Sequence, residues 1–157
     1  LQPSPIRYVR AVTDGARACG GIILQFPFYF GILGILKASG LAARFAALMV
    51  GVANKSTFPL LTFFSAGLVN LLVPSGGGQW AVQGEILVEA SHNMGLGIEQ
   101  TIMAFAYGDQ LTNMLQPFWA LPLLAITGLE ARQIVGYTAT VMVLVTPLFL
   151  ALLLLFS

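Results

Sequence analysis

An all-α, polytopic integral membrane protein is the fold class this sequence predicts, and three observations carry the prediction. Of 157 residues, 57% are hydrophobic and 8% are charged, where soluble domains carry roughly a quarter charged residues. The mean hydropathy is +0.87. Four runs lack any charged side chain, residues 18–36, 56–84, 110–129 and 133–157, and each is about as long as, or longer than, the roughly 20 residues a helix needs to cross a bilayer core. Such a composition excludes a disordered chain and a cytosolic enzyme, because too few polar groups remain to coat a water-facing surface. With a formal net charge of +1 and scattered basic residues, it also excludes a nucleic-acid binder. The natural partner is the lipid bilayer, with residues 1–157 forming a single membrane domain.

Residues 6–36 read as an interfacial helix followed by a transmembrane helix. Arg7, Tyr8, Arg10 and Arg17 precede the apolar run, which suits anchoring at the membrane surface, and Pro27 inside the run predicts a kink. Residues 41–54 contain an apolar piece too short to cross, and they read as a second interfacial helix. Residues 56–94 read as a re-entrant helical hairpin: an apolar helix runs into Asn70-Leu-Leu-Val-Pro74-Ser75-Gly76-Gly77-Gly78, where a proline and three glycines are expected to unwind the backbone. Unwound backbone at membrane depth is tolerated only inside protein or against a wet cavity. Residues 98–128 read as a broken transmembrane helix, and residues 132–156 as a plain one, with Pro147 as its one interior proline.

The two breaks resemble each other. Asn113-Met-Leu-Gln-Pro117 repeats the order of Asn70-Leu-Leu-Val-Pro74, and in a helix each proline withholds the hydrogen bond from the Asn carbonyl four residues back. Paired interruptions of this kind point to a transporter site, where free N–H groups suit an anion and free carbonyls a cation. Asp109, Thr112, Asn113 and Gln116 fall at i, i+3, i+4 and i+7, one helical face that leads into the second break. Asp109 lies between apolar stretches, where an ionisable group is expected to serve function. Its structural alternatives are capping a half helix or pairing with Arg132.

Other chemistry finds little support. Cys19 is the single cysteine and His92 the single histidine, so neither has partners at metal-ligand spacing, and no metal or cofactor is expected. Ser75, His92 and Asp109 could be imagined as a triad, but Ser75 lacks a nucleophile elbow and the glycines lack the lysine of a phosphate loop. An enzyme is not expected.

The segments 69–84 and 108–122, together with Gly20-Gly-Ile-Ile-Leu-Gln-Phe-Pro-Phe-Tyr29, resemble the short-chain fatty acid transporter family, the bacterial acetoacetate and butyrate permeases. Members of that family are longer, so the resemblance makes this chain their C-terminal third. It also implies one half of an ion-transporter-type inverted repeat, with a re-entrant hairpin and a broken helix meeting at one site in the bacterial inner membrane. By that likeness, Asn70, Ser75, Gly76, Gly77, Gly78, Gln79, Trp80, Thr112, Asn113 and Gln116 line the substrate site. Asp109, with Asn70 and Asn113, is implied to handle a coupling cation, a proton or sodium. The implied partners are a small carboxylate substrate and either the missing N-terminal half or further copies in a homo-oligomer. The alternative function is a membrane segment that does not transport without that missing half.

Overall fold

A computed structural model describes residues 4–155 of the chain. Within them it is all-helical: α1 (Pro5–Ala18), α2 (Gly20–Ser39), α3 (Leu41–Gly51), α4 (Phe58–Asn70), α5 (Gly76–Asn93), α6 (Ile98–Asn113), α7 (Leu121–Thr127) and α8 (Ala131–Leu155), with a 3-10 turn at Pro117–Ala120. Position 156, which closes the predicted last helix, and positions 1–3 lie outside the described residues.

Helix starts follow local chemistry. Ser4 caps α1 by accepting from the Arg7 amide, and Ser75 caps α5 by accepting from the Gly78 amide, the ordinary use of a short hydroxyl at a helix start. Pro5, Pro59 and Pro122 all sit in the first turn of their helices, where a missing N–H costs nothing. Gly40 and Gly128 take φ of 66° and 70° at the joints between α2 and α3 and after α7, a conformation that glycine adopts without a Cβ clash.

The centre of the molecule is α4 with α5 and α6, flanked by α3. α5 folds back along α4, so that Gln79 meets Ala66, Gln83 meets Ser65, and Leu87 and Ala90 reach Phe58 in one apolar cluster with Ala66 and Phe105. α6 runs alongside α4 in the same direction: Phe63 packs with Ala104, Gly67 with Gly108, and Asn70 with Asn113. The α4–α6 approach is close because both partners are glycines there. A Cβ on Gly108 would stand 2.1 Å from the Phe63 carbonyl oxygen, and one on Gly67 would stand 3.3 Å from the Gly108 carbonyl. Small residues at a helix crossing are how apolar helices pack where lipid provides no hydrophobic drive.

The polarity of the fold is inverted relative to a water-soluble domain. Thr62, Ser65, Asn70, Gln79, Gln83, Ser91 and Thr101 are buried, whereas Ile23, Leu24, Phe28, Ile35, Val143, Leu144 and Leu148 are exposed. α8, 25 residues and so about 37 Å long, is the one helix among the described residues long and apolar enough to cross a membrane, and 6% of its apolar window is buried. It touches the core through Phe149, Leu150 and Leu153, with the Tyr107 and Phe149 rings stacked at 4.8 Å.

Candidate functional site

Because α4 and α6 run in parallel and stop at matching levels, their C-terminal ends lie side by side, and the start of α5 returns to the same place. Pro74 and Pro117 are the physical reason for both stops. The backbone leaves the helix at 71–75 in the first case and at 114–116 in the second. Unwinding does not extend through the glycines as the sequence led us to expect. Gly76, Gly77 and Gly78 form the first turn of α5, stabilised by the Ser75 cap. What glycine supplies there is room: the Asp109 carboxylate lies against Gly76, its oxygens 3.4 and 3.6 Å from where a Cβ would be.

One hydrogen-bonded cluster ties the two breaks together. Asn70, with none of its surface exposed, donates from Nδ2 to the Asp109 carbonyl at 2.8 Å, Asn113 Oδ1 at 2.9 Å and Thr112 Oγ1 at 3.0 Å. Thr112 Oγ1 in turn donates a hydrogen bond to the Gly67 carbonyl at 2.9 Å. Asn113 Nδ2 donates to Asp109 Oδ2 at 3.2 Å. The carbonyls released by the prolines do not stay free: Gln116 Nε2 donates to the Asn70 carbonyl at 2.8 Å, and Trp119 Nε1 donates to the Asn113 carbonyl at 3.1 Å. Three oxygens of the cluster, Asn70 Oδ1, Asp109 Oδ1 and Gln116 Oε1, are buried without a hydrogen-bond partner.

Beside the cluster opens a cavity of about 620 Å³, within the size range of small-molecule sites. Its lining combines the polar side chains of Gln110, Asn113 and Gln116 with Phe26, Pro74, Gly76, Met114, Phe118 and Trp119. Phe26 comes from α2 and meets Phe118 edge-on, ring centroids 6.1 Å apart.

The structure therefore brings together Asn70, Asp109, Thr112, Asn113 and Gln116, with Ser75, Gly76, Gly77 and Gly78 in the adjoining cap and first turn of α5. It places Gln79 and Trp80 elsewhere. Gln79 is fully buried between α4 and α5, donating to the Ala66 carbonyl at 2.7 Å and to Gln83 at 2.9 Å. Trp80 packs edge-on against Phe105 at 4.9 Å and lines a separate surface hollow with Glu85, Glu89 and His92. Asp109 lies against Gly76 at the start of α5, but the cap there is Ser75 and the Asp109 carboxylate accepts from Asn113; Arg132 pairs with Glu130. Phe26, Gln110, Met114, Phe118 and Trp119 were not singled out from the sequence as site residues. Among them Trp119 carried a signal, an indole two residues beyond a helix-breaking proline. No group of His, Cys, Asp and Glu suited to a metal occurs among the described residues.

The sequence profile of the family described as "Short chain fatty acid transporter" matches residues 1–156. A protein of Escherichia coli (strain K12), provisionally named a short-chain fatty acid transporter, is 49% identical over 140 residues, covering 89% of this chain and 32% of its own length. A Haemophilus influenzae (strain ATCC 51907 / DSM 11121 / KW20 / Rd) protein with the same provisional name is 45% identical over 150 residues, covering 96% of this chain and 34% of its own length. The chain thus spans about a third of the length of these curated relatives. No solved structure matches it.

Proposed function

The chain belongs to the short-chain fatty acid transporter family, and from that premise we propose that it serves secondary transport of short-chain fatty acids or related small carboxylates, such as acetoacetate and butyrate, across the bacterial inner membrane, coupled to a proton or sodium gradient. The observation that carries the reading is the cavity at the paired helix breaks, whose lining combines Asn113, Gln116 and the start of α5 at Gly76 with the apolar Phe26, Met114 and Phe118. A short acid needs both surfaces, polar groups for its head and an apolar wall for its tail. The start of α5 favours negative charge, and Ser75, Gly76, Gly77 and Gly78 are its cap and first turn. In this reading the carboxylate lies toward that turn, near Thr112 and Asn113, while Asp109 with Asn70 and Asn113 answers to the coupling cation. No enzymatic step is assigned.

A second reading has a specific observation in its favour. The chain spans about a third of its relatives, and the cavity opens outward, so the opposing wall could come from the N-terminal half present in those relatives or from another copy. The chain then inserts without transporting by itself.

Labelled butyrate uptake separates the two. Cells expressing this chain, with insertion verified, are compared with cells expressing the Escherichia coli relative. Uptake by both supports a site completed by self-assembly. Uptake by the relative alone supports the second reading, and uptake by neither overturns the substrate assignment.

A further inference from the structure

We infer that the cluster between the two helix breaks is a sodium site whose ligands are Asn70 Oδ1, Asp109 Oδ1 and Gln116 Oε1, an inference that rests on the transport reading of the same cluster and chooses between its two cations. Asn70 Nδ2 is held by three acceptors, Gln116 Nε2 by the Asn70 carbonyl, and Asp109 Oδ2 by Asn113 Nδ2. Each anchor fixes its side chain and leaves the other oxygen buried with no donor. Native proteins seldom bury an unpaired acceptor, and several in one cluster call for an explanation such as an ion.

The donor set selects the ion. Two neutral amide oxygens and one carboxylate oxygen are hard ligands, and a single negative charge is balanced by a monovalent cation, whereas a divalent ion would leave uncompensated charge among apolar helices. Softer metals need grouped His, Cys or carboxylates, which the described residues lack. A proton on Asp109 would supply one O–H, enough for at most two of the three oxygens, while a cation answers all three. Neither ion pair among the described residues supplies a basic partner to Asp109, since they join Arg17 to Asp14 and Arg132 to Glu130. Asn113 is a positioning residue in this assignment, because its Oδ1 already accepts from Asn70.

The test is thermal unfolding of the purified chain in detergent in sodium chloride, potassium chloride and choline chloride at equal ionic strength, with butyrate uptake into proteoliposomes of the same preparation. Sodium is expected to raise Tm in a saturable way that potassium and choline do not. Asp109→Asn is expected to keep the choline Tm and lose the sodium shift, and Gln116→Met to weaken half-saturation about tenfold. Equal Tm in all three salts overturns the site, even with uptake intact under a proton gradient, as does a shift that both variants retain; buried water alone would give that first result. A sodium shift without uptake upholds the site and favours the reading in which the chain does not transport by itself.

Discussion

Asn70 spends two amide hydrogens on three acceptors from α6, so a change there tests both the packing and the site. Asn70→Ala leaves Asn113 Oδ1 without its donor, a loss of about 1–3 kcal/mol. Asn70→Asp puts a second carboxylate oxygen against the same acceptors and close to Asp109, and is expected to be worse in both Tm and butyrate uptake. An aspartate that melts like wild type would remove the cluster as the link between α4 and α6. Gly108→Ala is a purely steric counterpart, since its Cβ would fall 2.1 Å from backbone oxygen; the helices must part, costing at least about 2 kcal/mol in thermal melting, while Gly136→Ala, which meets nothing within 4 Å, is expected to melt no lower. These residues differ in how visible they are from sequence. Asp109, Thr112, Asn113 and Gln116 stand out as one polar face in an apolar setting, and the structure does bring them together. Gly108 is one of 17 glycines, and only its spacing from Ala104, four residues apart, hinted at a close crossing.

At the scale of an element, each break is a stop followed by a repair. Proline ends the helix, and a side chain from within or just beyond the second break takes the released carbonyl. Trp119→Phe keeps the ring and removes the Nε1 donor to the Asn113 carbonyl, an expected loss of about 1 kcal/mol with reduced uptake. Trp80→Phe, whose ring faces Phe105 and not the cavity, is expected to leave uptake near wild type. Should the two variants transport alike, the indole at 119 has no part in the site. Proline made the positions of the stops legible in advance. The repair of the first break was not legible, because the bond from Gln116 to the Asn70 carbonyl depends on which helices lie side by side. The glycines misled for a related reason: three in a row disfavour a helix interior, but at a first turn beside a carboxylate they are tolerated.

Across the whole molecule, composition announced the helical class and the inverted polarity, because a chain with 8% charged residues has little choice about what its outer surface touches. It could not announce that α2 would bring Phe26 against Phe118, a contact between segments far apart in sequence whose aromatic residues also suit ordinary packing. That contact makes the aromatic lining of the cavity a joint product of α2 and the second break, and it gives that lining a testable role. Phe118→Ala removes one of the three aromatic rings lining the cavity and leaves Gly76, Asn113 and Gln116 in place, so head-group contacts persist while space for the tail grows. The expected outcome is a shift in chain-length preference: hexanoate and octanoate compete against labelled butyrate several-fold better than they do with wild type, while acetate changes little. Competition is read as uptake in whichever form transports, or as acid-dependent protection in thermal melting if the chain inserts without transporting. A general loss of binding with the order of acids unchanged would mean that Phe118 supports the fold and does not measure the tail, and the acyl chain would then have to be placed against the remaining length of the relatives.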